Sequence, residues 1–186
     1  MTSRGKRLIG LLAATTLVAQ FACGPDAPKP VTAEQRKAIS DSLSRLVVAT
    51  YDLSKPNAVE RMMSLYPATG PVYSTSSGHI STTRAELQSQ IETFWKYVGS
   101  NMRDPKWEWI EIHTDVLSPN AAVMTASYRI PHRTPTNMQH MIGGAWTAVF
   151  VNRGGRWVVV QEHLSDVPQT PSTPPDSAAA MDHSGH

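Results

Sequence analysis

The residues best placed to do chemistry lie at the polar end of the last apolar stretch, where His163 and Ser165 follow three consecutive valines. Alternate residues of a β-strand share a face, so we expect Gln161, His163 and Ser165 to lie on one side. A neutral imidazole there could accept a proton from a carbon acid or orient a hydroxyl group. Alternatively, His163 bonds to a backbone carbonyl and closes the sheet edge. We predict His163 as a candidate catalytic base and Ser165 as a ligand contact.

A second candidate group surrounds His113, which by alternation shares a strand face with Trp107, Trp109 and Glu111. Tryptophan combines a large apolar area with one hydrogen-bond donor, so this face could form an aromatic wall with a polar floor. It could equally face solvent or a second copy of the chain, because the sequence does not show which face points inward. We predict His113 as a candidate catalytic residue and Trp109 as a ligand contact.

Further aromatic residues complete the candidate set. Tyr128 could donate a hydrogen bond to an oxyanion, or it could pack in the core beside Met124 and Ala126. Trp95 and Trp146 could be core residues or walls of an apolar pocket. We predict Tyr128 as a candidate catalytic residue and the two tryptophans as ligand contacts.

The carboxylates and potential metal ligands give weaker signals. None of the carboxylates on the expected strands forms a recognisable motif: Glu108, Glu111, Asp115 and Glu162. The stretch 181–186 contains two histidines, an aspartate and a methionine, which could hold a transition metal or form a solvated terminus. A single short copy supplies few fixed ligands, so we predict no metal site and no cofactor.

The hydrophobic spacing predicts the elements that position these residues. Thr32 with Gln35, and Thr83 with Glu86, have the spacing of helix-capping boxes. Two strand-like runs around Arg153-Gly154-Gly155 predict a β-hairpin. The expected elements are helices over 33–51, 58–66 and 83–98, a short strand over 71–74, and strands over 107–116, 121–130, 141–152 and 156–165. This order predicts an α+β, cone-shaped fold, with three N-terminal helices packed on a curved antiparallel sheet that leaves a cavity.

Three segments of the chain resemble SnoaL-like domains of the nuclear transport factor two-like superfamily, which includes ketosteroid isomerase. These segments are Tyr73–Phe94, Asp115–Tyr128 and Gly144–Ser165. Gly155-Arg156-Trp157 followed by a His-x-Ser pattern supports the resemblance, which covers nearly all of residues 33–167.

The resemblance implies a cone with Tyr73 and His79 near its mouth, and we expect both to contact a ligand. The superfamily includes isomerases, cyclases, dehydratases, hydrolases and members that only bind or dimerise, so its fold does not define an activity. A ketosteroid isomerase would need a carboxylate base and two oxyanion donors, and these cannot be matched in the sequence.

The N-terminal residues have the features of an export signal. Arg4, Lys6 and Arg7 precede an uncharged, mostly apolar stretch over 8–22, which is shorter than the ~20 residues of a transmembrane helix. Gln20-Phe21-Ala22-Cys23 resembles a lipobox, and Cys23 is the only cysteine. We predict a signal peptide over 1–22, a tether over 23–32 with Cys23 as the lipidation site, a domain over 33–167 and a disordered tail over 168–186. The alternative is an ordinary signal peptide with an incidental cysteine.

The charge balance argues against nucleic acid as a partner. The chain has 17 basic and 15 acidic residues, and removal of the three basic residues of the signal leaves 14 and 15, a net charge of −1. We therefore expect a membrane-anchored lipoprotein of the cell envelope that faces the periplasm or the exterior.

We expect this envelope-tethered domain to bind a small, mostly apolar ligand in its cone. The alternatives are a small-molecule isomerase, dehydratase or cyclase with a histidine base, and a dimerisation or protein-interaction module. The expected partners are a small molecule, the membrane through lipid on Cys23, and a second copy of the chain.

Overall fold

The computed structural model describes residues 30–167 of the 186-residue chain. The predicted signal peptide, Cys23 and the predicted tail lie outside the described residues. The helices are α1 (Ala33–Thr50), α2 (Ala58–Met63) and α3 (Arg84–Tyr97), and a short 3-10 turn, Gly99–Asn101, follows α3. The strands are β1 (Tyr73–Ser76), β2 (His79–Ser81), β3 (Glu108–Ser118), β4 (Ala121–Arg133), β5 (Gln139–Arg153) and β6 (Arg156–Asp166).

Both predicted capping boxes are confirmed. The Thr32 side chain accepts a hydrogen bond from the Gln35 amide, while the Gln35 side chain accepts one from the Thr32 amide, which satisfies donors that the first turn of α1 leaves free. Thr83 and Glu86 do the same for α3. Helix α2 ends at Met63, before the predicted end at Tyr66. Within residues 30–167, no helix has both the length and the apolar character needed to cross a bilayer.

The α+β fold class is confirmed, and its sheet has two strands more than the predicted meander. Strands β3 to β6 form the expected antiparallel meander, and the full strand order is β2-β1-β6-β5-β4-β3. Strand β1 pairs in parallel with β6, which makes the sheet mixed. Strand β2, in a region predicted partly as loop, pairs with β1 across a turn at Ser77 and Gly78.

The turn between β5 and β6 shows why two glycines follow Arg153. Gly154 and Gly155 have φ angles of 61° and 85°. Such backbone angles are needed in a two-residue hairpin turn, and glycine adopts them without steric cost. The predicted hairpin is therefore confirmed.

A β-bulge at Ile110 changes the face of β3 on which each side chain lies. Trp109 pairs with Tyr128 and Glu111 pairs with Ser127, so Ile110 is an extra residue without a partner. One extra residue inverts the alternation beyond it. Trp107 and Trp109 therefore pack with the core, whereas the side chains of Glu111 and His113 are 70% and 76% exposed. The predicted common face of these four residues was wrong.

A second bulge, at Val160, does the same in β6. Phe150 pairs with Val159 and Val149 pairs with Gln161, so Val160 is the extra residue. Val159 and Glu162 are consequently both buried, while His163 is exposed. Gln161, His163 and Ser165 share a face as predicted, but it is the exposed face and not the cavity wall.

The core lies between the helices and one face of the sheet, which we call the inner face. Helix α1 contributes Leu43 and Val47, which are fully buried together with Met124, Trp146 and Phe150 from the sheet. These side chains fill one part of the space under the sheet, and a cavity occupies another part beside α3.

Candidate ligand cavity

A cavity of about 250 Å³ lies beside α3, against the inner face of the sheet. Its apolar lining comes chiefly from α3 and from β4 to β6, and its polar lining comes from β1, β6 and two tyrosines near α1 and α2. The lining residues are Tyr51, Met62, Tyr66, Ser74, Ser76, Ser77, Leu87, Gln90, Ile91, Phe94, Trp95, Trp107, Tyr128, Ile130, Ile142, Glu162, Leu164 and Asp166. The cavity is therefore mostly apolar, with a small set of polar groups.

The main polar group of the cavity is the carboxyl group of Glu162, which is only 3% exposed. Its Oε1 atom accepts hydrogen bonds from the Tyr66 hydroxyl at 2.8 Å and the Ser74 hydroxyl at 2.7 Å. Its Oε2 atom accepts one from the indole N–H of Trp146 at 2.8 Å. Burial raises the pKa of Glu162, and these three hydrogen bonds oppose that rise because they favour the ionised form.

The strand pairing explains why these donors meet. In the parallel register of β1 and β6, Ser74 lies directly opposite Glu162. In the antiparallel register of β5 and β6, Glu162 lies opposite Ala148, next to Trp146 on the same face. The third donor, Tyr66, lies between α2 and β1 and is 2% exposed. Three segments of the chain thus supply hydrogen-bond donors to the one carboxyl group carried by β6.

Tyr128 provides a second polar group in the cavity wall. Its hydroxyl makes no hydrogen bond to other residues in the described range, although the residue is only 6% exposed. Burial raises the pKa of Tyr128 to about 12, with smaller contributions from the nearby charges of Asp166 and Glu162. The phenol therefore keeps its proton at neutral pH and remains a free hydrogen-bond donor.

An aromatic cluster forms the wall around Tyr128. The Trp107 ring stacks on the Tyr128 ring with centroids 4.6 Å apart, and the Tyr51 ring lies 4.4 Å from Trp107 on centroids. Trp109 packs behind this wall, 5.5 Å from Trp146. These rings make this part of the wall largely apolar, and Glu162 lines the same cavity.

The structure brings some predicted site residues to the cavity. Tyr128 and Trp95 line it, and Trp146 reaches it indirectly through its hydrogen bond to Glu162. Trp109 contacts the lining residues Tyr51 and Tyr128. Tyr128 also lies in the buried core with Met124 and Ala126, which confirms the core alternative, while its role as an oxyanion donor stays a prediction.

Other predicted site residues lie away from the cavity. His163, Ser165 and His113 are on the exposed face of the sheet. Tyr73 is 47% exposed, and His79 is exposed on β2. None of these five residues lines the cavity. The histidines predicted as bases thus have no access to it from their own chain.

The role of Glu162 in the cavity was not predicted from the sequence. Glu162 lies within the predicted strand 156–165, but the bulge at Val160 was not expected, so alternation does not place Glu162 on the same face as Val159. Among residues 30–167, no group of three or more histidine, cysteine, aspartate or glutamate side chains is arranged to hold a metal ion. The metal-binding alternative for residues 181–186 lies outside the described residues.

Helices followed by a six-stranded mixed sheet, with a cavity beside α3, match the class of cone-shaped α+β domains called NTF2-like. Within this class, the chain belongs to the family of SnoaL-like domains, whose profile matches residues 44–170. No curated relative matches the chain.

Solved structures with the same fold come from several bacteria. A candidate scytalone dehydratase from Novosphingobium aromaticivorans has a TM-score of 0.60 and 16% identity, over 73% of this chain and 89% of that one. A candidate dehydratase of the NTF2-like family from Streptomyces avermitilis has a TM-score of 0.58 and 16% identity, over 72% and 99%. An NTF2-like protein of unknown function from Shewanella oneidensis has a TM-score of 0.54 and 18% identity, over 69% and 99%. At these identities the likeness concerns the fold alone.

Proposed function

We propose that the cone of this SnoaL-like domain binds a small, mostly apolar molecule. The observation that carries the proposal is the cavity itself, with apolar walls and a few polar groups that converge on it. Ligand sites in proteins typically have this composition, since apolar walls provide affinity and a few polar groups fix the orientation. Here Glu162 and Tyr128 are the groups that would orient the molecule.

The size of the cavity limits the ligand. About 250 Å³ is below the ~300–1,000 Å³ of pockets for drug-sized molecules. A molecule of one or two rings fits this space. The wall of Tyr51, Trp107 and Tyr128 favours a flat ligand, because aromatic rings stack well on flat apolar surfaces.

The proposal is tested by isothermal titration calorimetry with 2-naphthalenemethanol, a neutral two-ring probe. We expect saturable binding to the unmodified protein, and loss of binding in Ile91→Trp, which fills the cavity from α3. Ile110→Trp is the matched control, because Ile110 is 52% exposed and lies outside the cavity lining. Absence of binding to the unmodified protein, or equal binding to both variants, would contradict the proposal.

A second candidate function is proton transfer on a bound carbon acid. It is supported by a buried carboxyl group with a raised pKa and, in the same cavity, the phenol of Tyr128, which has no hydrogen-bond partner among residues 30–167. Glu162 would take a proton from a carbon next to a carbonyl group, and Tyr128 would donate a hydrogen bond to the oxygen on which charge develops. The proton would then return to the same or a neighbouring carbon.

This activity can be measured with 2-tetralone in deuterated water. We expect the protein to accelerate exchange of the protons next to the carbonyl group, and Glu162→Gln to remove the acceleration. Glu111→Gln is a matched control, since this carboxylate is exposed on the other face of the sheet. An exchange rate equal to that in buffer would rule out this candidate for ketones of this class.

We also propose that the domain works at the cell envelope, held by lipid on Cys23. The basic residues 4–7, the apolar stretch over 8–22 and the Ala22-Cys23 pair support this location. Intact-mass measurement of protein extracted from membranes is expected to show an acylated Cys23 as the first residue. A protein with residues 1–22 still attached, or a Cys23→Ser variant that stays in the membrane fraction, would contradict it.

A further inference from the structure

The charged groups around the cavity all have one sign. Glu162 and Asp166 line it, and among residues 30–167 no lysine, arginine or histidine does. Neither carboxyl group takes part in an ion pair with any residue in the described range. The hydrogen-bond donors to them are neutral, namely Tyr66, Ser74 and Trp146 for Glu162, and Ser77 at 2.8 Å for Asp166.

Glu162 retains capacity for a further partner. A carboxylate offers about four acceptor positions, and the residues around Glu162 use three of them. Its Oε2 atom accepts a single bond, from Trp146. Because Glu162 also lines the cavity, a donor carried by a ligand can reach this group.

The aromatic walls favour a positively charged ligand. The faces of tyrosine, tryptophan and phenylalanine rings carry negative potential and attract cations. Six aromatic residues line the cavity: Tyr51, Tyr66, Phe94, Trp95, Trp107 and Tyr128. An anion in this space would lose its hydration without gaining a positive partner, which is costly.

We infer that the ligand of the cone is a small amine, with its protonated nitrogen held at Glu162 and its apolar body among the aromatic walls. This inference rests on the proposed function, because it names the class of ligand that the same cavity takes. Asp166, four residues further along the same strand and more exposed, adds negative charge on the approach to the cavity. The ammonium group would complete the electrostatic partners of a buried acid that has only neutral donors in the free protein.

The test compares three probes of one shape: 2-(aminomethyl)naphthalene, 2-naphthalenemethanol and 2-naphthoate. They carry a cationic, a neutral and an anionic group on the same rings, and calorimetry at neutral pH gives their dissociation constants. We expect the amine to bind about tenfold more tightly than the alcohol, and the carboxylate at least ~10-fold more weakly than the alcohol.

Three variants test which carboxyl group causes the preference for the amine. In Glu162→Gln, which keeps the side-chain shape, we expect the affinity ratio of amine to alcohol to fall from about ten to about one. In Asp166→Asn we expect a fall of only about twofold, because this carboxylate is exposed to solvent. Glu111→Gln, the same substitution on the other face, should leave the ratio unchanged.

The outcomes separate this inference from the proposed function. If the alcohol binds but the amine binds no more tightly, or the carboxylate binds best, the inference is wrong and the proposed function stands. If none of the three probes binds, the proposed function itself fails. A preference for the amine that persists in Glu162→Gln would overturn the assignment of the ammonium group to Glu162.

Discussion

The indole N–H of Trp146 donates a hydrogen bond to Oε2 of Glu162 over 2.8 Å, and both residues are almost completely buried. Tryptophan is a donor only, so this contact always presents a hydrogen to the carboxyl group. It therefore favours the ionised state of Glu162, while burial favours the neutral state. The balance between these two effects makes Glu162 the most informative residue for mutagenesis.

Replacement of Glu162 should reveal its titration as a pH dependence of stability. The folded-state pKa is raised above the ordinary value of 4.5, so the contribution of Glu162 to stability is complete below that value and is lost as pH rises through the folded pKa. Relative to Glu162→Gln, the unmodified protein should thus lose free energy of unfolding between acidic and neutral pH. Urea unfolding of both proteins from pH 4 to pH 8 measures this difference. A difference that stays constant or grows in favour of glutamate would contradict it.

Removal of the whole carboxyl group should be more damaging. Glu162→Ala leaves the donors of Tyr66, Ser74 and Trp146 without their acceptor in a buried site. We expect a loss of about 2–4 kcal/mol in the free energy of unfolding at neutral pH. Glu111→Ala, at an exposed carboxylate, is expected to change it by less than about 0.5 kcal/mol. Equal effects of the two substitutions would show that the network around Glu162 contributes little.

Substitution of Trp146 tests the other side of the contact. Trp146→Phe removes the donor to Oε2 and leaves space in the core, so we expect a loss of about 2–4 kcal/mol. The pKa of Glu162 should rise further, which enlarges the total loss of stability between acidic and neutral pH. Trp157→Phe, in the same sheet but without a bond to Glu162, is the control. An identical pH profile in the two tryptophan variants would refute the coupling.

Gly144 should not tolerate a side chain. A Cβ atom there would overlap the backbone carbonyl oxygen of Ser165 and would lie 3.2 Å from the Tyr128 hydroxyl oxygen. We expect Gly144→Ala to cost about 2–3 kcal/mol, because the backbone of β6 has to move. Gly143→Ala meets the Tyr128 carbonyl oxygen at 3.0 Å and should cost less. Thermal unfolding of both variants checks this order. The reverse order would show that β5 and β6 do not approach each other closely at Gly144.

The exposed histidines should be dispensable for binding. His113→Ala and His163→Ala are expected to keep stability within about 0.5 kcal/mol and to leave the affinity for 2-naphthalenemethanol unchanged. Calorimetry with the two variants provides the check. A loss of affinity of tenfold or more in either variant would mean that its imidazole reaches a cavity, for example that of a second copy of the chain.

Most helices and strands of this fold were predicted correctly, because the residues that cause them lie within or next to each element. The capping residues of α1 and α3, the two glycines after Arg153 and the alternating apolar runs of the meander all act locally. The parallel pairing of β1 with β6 joins distant segments, and no local pattern indicates it. The short strand β2 pairs locally with β1 across Ser77 and Gly78, but it is only three residues long.

The site was harder to predict, because one extra residue in a strand moves every later side chain to the opposite face of the sheet. Because of the bulges at Ile110 and Val160, His113 and His163 lie on the exposed face of the sheet and Glu162 lies on the inner face. Tyr128 and Trp95 were found because large aromatic residues on apolar faces reach the cavity whether they serve the core or a ligand.

The parallel pairing of β1 with β6 also affects the order in which the domain folds. Ser74 and Glu162 are 88 positions apart, so β1 can pair with β6 only when the C-terminal strand of the domain is available to fold. Until then the β1–β2 hairpin has an open edge, and the acid that becomes the floor of the cone has not yet met its donors. We therefore expect the helices and local hairpins to form first, and the binding site to form in a final step when the last strand docks.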